Sequence, residues 1–138
     1  MVLSGATGTG KTFITNIMKQ SLRDKKIWVK DTTAFNMVKV FQEYVNNFGR
    51  DDEPISVFLD CDVLIIDDLG SEPLIKNVTQ EHIYNIINER LVTGRAFIIT
   101  TNLDPAALIE RYDQRIASRI LAKENSMLIE FKNTDLRF

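Results

Sequence analysis

The stretch GATGTGKT, Gly5 to Thr12, decides the fold of this chain, because it meets the pattern GxxxxGK[ST] in full. In this pattern the glycines let the backbone wrap a phosphate with its N–H groups, and the following helix directs its positive end at the same anion. The lysine would reach the terminal phosphates of a nucleotide, and the threonine would contact Mg²⁺. The sequence therefore predicts a phosphate-binding loop formed by Gly5, Ala6, Thr7, Gly8, Thr9, Gly10, Lys11 and Thr12.

Apolar periodicity places the loop between a strand and a helix. Residues 2–4 predict a strand, and residues 11–23 predict a helix. The apolar residues of this helix fall on one face, which we expect to pack inward: Phe13, Ile14, Ile17, Met18 and Leu22. An ordinary glycine turn with a solvated lysine is the alternative, and the position between strand and helix argues against it.

The rest of the chain alternates predicted strands with predicted helices. The strands are residues 26–30, 63–66, 96–101 and 126–131; the helices are 32–47, 78–93, 105–110 and 112–121, and polar residues 49–54 predict a surface loop. This alternation predicts the α/β class: a three-layer sandwich with a mostly parallel five-stranded sheet and helices on both faces. Ligands bind beyond the carboxyl ends of such strands, where Gly5, Asp67 and Thr101 lie.

Length and charge limit the classes of function. The chain has 138 residues, enough for one domain, with 17 basic and 19 acidic residues and a formal net charge of −2. Because no overall positive field would attract nucleic acid, contact with DNA requires a local patch. One candidate patch comprises Lys19, Lys25, Lys26 and Lys30, and ordinary solvated lysines are the alternative.

The sequence also bears on where the protein works. A single cysteine cannot form an internal disulfide, and there is neither a signal-peptide pattern nor an apolar run near 18 residues. We therefore expect a cytoplasmic protein that does not contact membranes.

Two aspartates follow the apolar run VLII. Asp67 ends that run, where it would face Thr12 across the strand edge and hold Mg²⁺. Because side chains alternate along a strand, Asp68 would point away from Asp67, toward a water that attacks the terminal phosphate. Glu72, in the loop that follows, is the alternative residue for polarising this water.

Two further candidates lie in the second half of the chain. Asn102 ends the strand at 96–101, where its amide could bind the terminal phosphate or orient the water; a turn asparagine is the alternative. Arg111, Arg115 and Arg119 recur every four residues, so we expect them on one edge of a helix. Such an arginine could enter a neighbouring subunit's site, but the spacing alone favours a solvated helix edge.

Four stretches together resemble the signatures of DnaC/DnaI-type helicase loaders among the AAA+ ATPases. They are GATGTGKT, VLIIDDLGSE (63–72), FIITTNLD (97–104) and RYDQRIASRI (111–120), and the resemblance covers essentially the whole chain. The first stretch alone indicates only a P-loop NTPase, whereas the last three in this order are specific. The resemblance implies an AAA+ core without a separate lid domain.

The resemblance assigns roles residue by residue. It implies a Walker A loop at residues 5–12, Walker B carboxylates at Asp67 and Asp68, and sensor 1 at Asn102. It implies an arginine finger at Arg119, acting in trans, with Arg115 as second choice. The tail NTDLR (133–137) resembles a family motif whose arginine approaches the nucleotide, which makes Arg137 a weaker candidate; Asn133 stands where glycine is usual.

These roles imply a function in DNA replication. The expected activity is Mg²⁺-dependent ATP hydrolysis, weak in the isolated monomer, with copies that assemble through ATP at their interfaces. The expected partners are a replicative DNA helicase and single-stranded DNA. Because such loaders usually carry an amino-terminal helicase-binding segment, we expect residues 1–138 to be a single ATPase core truncated at its amino terminus.

Three alternatives stay open at the sequence level. An IstB-type transposition helper shares the ATPase core but serves a transposase. A nucleotide-binding fragment without turnover would retain the loop and lack hydrolysis. A small P-loop kinase would need an acceptor site and an arginine-rich lid, and the sequence contains no insertion of that kind.

Overall fold

The structure, a computed structural model, describes residues 1–48, 50 and 53–132. Five strands form one sheet: β1 (Val2–Gly5), β2 (Val29–Thr33), β3 (Val63–Leu69), β4 (Ala96–Thr101) and β5 (Leu128–Phe131). Their spatial order is β2-β3-β4-β1-β5, and each neighbouring pair is parallel. The prediction of a five-stranded parallel α/β sheet is confirmed.

Helices cover both faces of the sheet unequally. They are α1 (Lys11–Asp24), α2 (Ala34–Asn46), α3 (Glu53–Asp60), α4 (Thr79–Val92) and α5 (Pro105–Leu121). On one face α1 packs Met18 and Leu22 against a small cluster that includes Val29 and Ile65, and on the other face α2 to α5 enclose the main core. Right-handed crossovers explain the division, because only the β1–β2 connection runs toward the β2 edge.

The main core contains the large apolar residues of α2 to α5. Phe41 and Phe58 pack edge to face, with ring centroids 6.3 Å apart, and Tyr112 is fully buried. Leu64 and Ile66 of β3 lie in this core, whereas Ile65 lies in the small cluster. The run VLII is therefore apolar without alternation because both faces of its strand are covered. In the part of the chain that the structure describes, no helix is both long and apolar enough to cross a membrane.

The predicted inward face of α1 is wrong for its amino-terminal half. Phe13 is 70% exposed, Ile14 37% and Ile17 55%, whereas Thr15 is buried. Met18 and Leu22 pack on the sheet as predicted. A single helix that lies on a sheet contacts it along a narrow stripe. Apolar periodicity therefore predicts a wider buried face than the sheet covers.

The second strand begins later than predicted. Lys26 has φ 60°, and the amides of Lys26 and Ile27 still bond to carbonyls of α1, at 2.8 and 3.1 Å. The backbone therefore becomes extended only at Val29, which pairs with Val63. The apolar run around Trp28 predicts too early a start for β2, because the start of this strand is set by its pairing with β3.

Helix α3 was not predicted from the sequence. The predicted loop at 49–54 lies partly outside the described residues, and α3 begins at Glu53, inside that range. Proline is compatible with the first turn of a helix, because the amide it lacks would have no partner within the helix there. The polar composition around Pro54 therefore concealed the start of a helix.

The two helices predicted at 105–110 and 112–121 form one kinked helix, α5. Asp113, at φ 67° and ψ 169°, interrupts α5 close to the predicted break at residue 111. Its carboxylate accepts hydrogen bonds from the amides of Arg115 at 2.8 Å and Ile116 at 3.3 Å. Asp113 thus caps the second half of α5.

Candidate functional site

A cleft of about 590 Å³ opens at the carboxyl ends of β1, β3 and β4. The glycine-rich loop and the first turn of α1 form one wall, and the ends of β3 and β4 form the other. Its lining residues are Thr7, Gly8, Gly10, Lys11, Thr12, Phe13, Asp67, Asp68, Thr100 and Asn102. The sheet therefore brings together the two aspartates, the asparagine and the loop, which are far apart in sequence.

Backbone geometry explains the glycines at both ends of the loop. A Cβ on Gly5 would lie 2.6 Å from the carbonyl oxygen of Phe131, so β5 approaches too closely for a side chain. Gly10 precedes α1 with φ 91°, a left-handed conformation that favours glycine. Because Gly10 has no side chain to cap the helix, the first amides of α1 are available to an anion at this end of the cleft.

The Lys11 ammonium is held inside the loop. It donates to the carbonyl oxygens of Gly5 at 2.6 Å and Ala6 at 2.8 Å, and to Oδ1 of Asn102 at 2.9 Å. Lys11 is only 7% exposed. Burial lowers its pKa, and the charges of Asp68 and Asp67 oppose that shift. A phosphate in the cleft would supply the negative charge that these neutral carbonyls lack.

Thr12 and Asp67 face each other across the cleft as predicted. The Thr12 hydroxyl donates to the Asp67 carboxylate at 3.3 Å, and the Thr100 hydroxyl donates to its Oδ1. One hydroxyl and one carboxylate fit Mg²⁺, which retains waters and phosphate oxygens rather than a full protein cage. The described residues contain no group of three or more histidine, cysteine, aspartate or glutamate side chains that could hold a metal ion.

Asp68 reaches the same cleft as Asp67, although regular alternation along β3 predicts that the two side chains point to opposite faces. A bulge in the β3–β4 register lies between Ile66 and Leu69, and Asp68 has φ 58°. Its amide donates to the Thr100 hydroxyl at 2.8 Å, and its Oδ1 accepts from Nδ2 of Asn102 at 3.0 Å. The bulge thus redirects a side chain that regular alternation would place on the other face.

Glu72 does not line the cleft. It is 1% exposed, and its carboxylate accepts the amide of Gly70 at 2.8 Å and the hydroxyl of Tyr112. Arg111 donates to the Glu72 carbonyl oxygen, and its guanidinium lies 3.7 Å from the carboxylate. The structure therefore does not bring this alternative candidate to the position of the attacking water.

The kink at Asp113 separates Arg111 from the other two arginines of α5, so the predicted shared edge holds only for Arg115 and Arg119, which both lie against Tyr84. Arg111 contacts Glu72, before the kink. Arg115 pairs with Asp113 at 3.2 Å, and its side chain is 70% exposed. Arg119 donates to Asn88 at 3.0 Å and to the Arg115 carbonyl at 3.0 Å.

Tyr84 of α4 supports the last two arginines. The guanidinium of Arg119 lies 4.5 Å from the centre of the Tyr84 ring, and that of Arg115 lies 5.4 Å from it. The guanidinium of Arg119 thus contacts two residues of α4, Asn88 and Tyr84. The candidate Arg137 and the NTDLR tail lie outside the described residues.

The four lysines proposed as a DNA patch do not form one surface. Lys19 pairs with Asp31 at 2.9 Å on the α1 side of the sheet. Lys30 lies on the other side, with its ammonium 5.9 Å from the Phe58 ring. Lys25 and Lys26 are exposed at the end of α1. The sheet separates residues that are neighbours in sequence.

Two cleft residues were missed by the sequence analysis. Thr100 contacts Asp67 and the Asp68 amide, whereas the sequence predicts it only as part of the buried strand at 96–101. Phe13 lines the cleft, although it was assigned to the inward face of α1. The signal for Thr100 was its place one residue before the strand end; nothing in the periodicity distinguished Phe13.

The sequence matches the family model described as IstB-like ATP binding protein over residues 1–128. One curated relative is the chromosomal replication initiator protein DnaA of Campylobacter concisus (strain 13826), which is 27% identical over 139 residues. The alignment covers 99% of this chain but 30% of that protein, so the chain spans about a third of its length.

Solved structures agree with the fold. A crystal structure of the DnaC helicase loader superposes with a TM-score of 0.82 at 26% identity, covering 96% of this chain and 77% of that one. A replication initiator DnaA bound to AMPPCP and single-stranded DNA gives 0.76 at 21% identity, covering 97% of this chain and 40% of that one. The second likeness shows the fold alone. The family model and the superposition on the DnaC helicase loader confirm the resemblance to a DnaC-type AAA+ ATPase core.

Proposed function

The chain belongs to the IstB-like ATP-binding protein family, and from this membership we propose that it is an ATP-hydrolysing AAA+ core that assembles through its nucleotide. One observation carries the proposal. Lys11, Thr12, Asp67, Asp68 and Asn102 all line one cleft at the end of a glycine-rich loop. Positioning and charge stabilisation are what phosphoryl transfer requires of a protein, and these residues can supply both.

Each residue has a distinct role in this proposal. Lys11 binds the terminal phosphates, and Thr12 and Asp67 hold Mg²⁺, which supplies charge neutralisation to the phosphate oxygens when bound. Asp68 accepts a proton from the attacking water, and Asn102 orients that water or binds the terminal phosphate. Nδ2 of Asn102 donates to Oδ1 of Asp68 at 3.0 Å. This contact supports the two roles, because the Asp68 carboxylate can still accept a hydrogen bond from the attacking water.

Arg119 is proposed to act on the nucleotide of a neighbouring copy. Its contacts with Asn88 and the Tyr84 ring fix a planar cation on α5, and a fixed cation needs little rearrangement to stabilise transition-state charge. Arg115 is the second choice. Its ion pair with Asp113 already engages its charge, which favours Arg119.

We propose that the assembled core serves helicase loading and contacts single-stranded DNA. The likeness to the DnaC helicase loader supports the first role, and the initiator bound to single-stranded DNA supports the second. A replicative helicase would then be the partner. The IstB-type transposition helper is the second candidate, because the family model that matches residues 1–128 is described as IstB-like.

Mixing two defective variants tests the assembly directly. Lys11→Ala should lose nucleotide binding, and Arg119→Ala should retain binding but lose hydrolysis. If the site is completed in trans, a mixture contains interfaces with an intact loop and an intact arginine, and part of the ATPase rate returns. Arg23→Ala, which removes an exposed arginine of α1, is the control and should hydrolyse normally.

Two results would contradict parts of this proposal. Full hydrolysis by Arg119→Ala alone would exclude Arg119 as the finger, and the same assay on Arg115→Ala tests the second choice. Nucleotide binding without turnover in every mixture would identify a binding module instead. Stimulation of hydrolysis by a transposase rather than by a replicative helicase would favour the transposition helper.

A further inference from the structure

The buried carboxylate of Glu72 joins two parts of the fold that the proposed ATPase reaction uses. Its Oε2 accepts the Gly70 amide at 2.8 Å, two residues beyond Asp68. Its Oε1 accepts the hydroxyl of Tyr112, which lies immediately before the kink of α5. Glu72 itself does not line the cleft, so any effect it has on the reaction must pass through these contacts.

The turn after β3 depends on this carboxylate. Asp68 has φ 58°, a conformation uncommon for residues other than glycine, and local contacts must hold it. The Ser71 amide and hydroxyl both bond to the Asp68 carbonyl, at 3.1 and 2.8 Å. The Gly70 amide lies between these groups and is bound only by Glu72 among the recorded contacts of the described residues. Glu72 therefore fixes the middle of the turn that positions Asp68.

The α5 side of the contact is buried and bonded to α4. Tyr112 is fully buried, and Gln80 of α4 donates to the Arg111 carbonyl at 2.9 Å. Burial first, and then the Glu72 charge, raise the pKa of the Tyr112 hydroxyl well above its ordinary value. The Tyr112 hydroxyl therefore stays protonated at neutral pH and continues to donate to the Glu72 carboxylate.

We propose that Glu72 is a positioning residue: it holds the Gly70 amide so that the Asp68 carboxylate stays in the cleft, and Tyr112 anchors it to α5. This inference deepens the proposed ATPase function and rests on it for its kinetic consequence. Because the turn also meets α5 just before Arg115 and Arg119, a displacement of that helix would reach Asp68 through the same pair of contacts.

Two variants weaken the contacts of Glu72 in different ways. Glu72→Gln keeps the shape of the side chain but replaces one acceptor oxygen by a donor group, which cannot accept from both Gly70 and Tyr112. Tyr112→Phe keeps the buried ring and removes only the hydroxyl, so it tests the Tyr112 contact even if Glu72→Gln fails to fold. Glu81→Gln, an exposed glutamate on α4, is the matched control.

The first readout needs no nucleotide. In NMR spectra, the side-chain amide of Asn102 reports its bond to Asp68, and hydrogen exchange of the Gly70 amide reports the turn. Glu72→Gln should shift the Asn102 signals and accelerate Gly70 exchange about tenfold or more, with smaller changes of the same sign in Tyr112→Phe. Unchanged Asn102 signals in both variants would overturn the proposal, even if the protein hydrolyses ATP.

The second readout separates positioning from general stability. With folding verified at the assay temperature, both variants should bind a non-hydrolysable ATP analogue within about twofold of wild type, whereas kcat falls about tenfold or more and KM changes little. A normal kcat alongside a displaced Asn102 signal would also overturn the positioning role. If the wild-type chain neither binds nor hydrolyses ATP, the proposed function fails, and the NMR readout still decides the contact.

Discussion

The hydroxyl of Thr100 donates a hydrogen bond to Oδ1 of Asp67, which joins β4 to β3 at the edge of the cleft. The same hydroxyl accepts the amide of Asp68 at 2.8 Å. One side chain on β4 therefore orients the proposed Mg²⁺ ligand and holds the bulge that turns Asp68 into the cleft. Residues that orient a metal ligand commonly matter nearly as much as the ligand itself.

Thr100→Val should reduce the apparent affinity for Mg²⁺ more than the affinity for nucleotide. The substitution keeps the β-branched shape and removes both hydrogen bonds, so Asp67 loses its orientation. We expect the half-saturating Mg²⁺ concentration for hydrolysis to rise about tenfold. A magnesium titration at saturating ATP measures this. Thr93→Val, which removes an exposed hydroxyl at the end of α4, should leave the titration unchanged, and an equal shift in both variants would refute the role of Thr100.

Arg90→Met should destabilise the fold without altering the cleft. Arg90 is fully buried, with 0% of its surface exposed. Its guanidinium donates to the carbonyl oxygens of Phe58, Cys61 and Ala96, at 2.8, 3.0 and 2.6 Å. Removal of the guanidinium leaves these buried acceptors without donors, and we expect a loss of about 3 to 5 kcal/mol in unfolding free energy. Urea denaturation measures the change.

Arg95→Met is the matched control for this prediction. Arg95 lies five residues further on, and its side chain is 39% exposed, so its loss should cost less than about 1 kcal/mol. ATP affinity at low temperature should be normal in both variants. Equal stability of the two would show that the carbonyl contacts of Arg90 contribute little.

Asp31→Asn should change the pH dependence of stability. The hydrogen bond from Lys19 is the main cause that lowers the pKa of Asp31, and Arg23 adds its charge. A carboxyl whose pKa is lower in the folded state stabilises above its unfolded value of about 3.9, and that contribution is lost as pH falls through the folded value. The pair is partly exposed, so the difference from wild type should stay below about 1 kcal/mol.

Urea denaturation at several pH values checks this dependence. The difference between wild type and Asp31→Asn should be constant from about pH 5 to 8 and shrink below about pH 4. Asp24→Asn, whose carboxylate accepts only from the neutral Gln20 amide among the recorded side-chain contacts of the described residues, is the control. A difference that persists undiminished to about pH 2 would contradict the assignment.

The parts of the fold predicted correctly depend on local sequence. The loop is a contiguous pattern, and β4 has the predicted bounds, Ala96–Thr101, because its apolar and β-branched residues follow one another without interruption. The parallel sheet followed from the alternation of strands and helices. These features need no knowledge of which strands become neighbours.

The errors in the site arise from contacts between distant residues. Asp68 enters the cleft because the Thr100 hydroxyl, on another strand, holds the bulge. Glu72 is withdrawn from the cleft because Tyr112 and Arg111, on α5, bind it. Neither partner follows from the sequence around the carboxylate. Without knowledge of these partners, a carboxylate in a loop is as good a candidate for contact with the nucleotide as one at a strand end.

The central claim is tested most directly by calorimetry of Mg²⁺-ATP binding to this chain and to Lys11→Ala. Lys11 lies within 3 Å of the loop carbonyls and Asn102, so its ammonium is placed for the terminal phosphates. We expect the wild-type chain to bind ATP and the variant to lose about a hundredfold or more in affinity. Lys25→Ala, which removes an exposed lysine, should bind normally. Equal affinity of Lys11→Ala and wild type would contradict the assignment of this cleft as the ATP site.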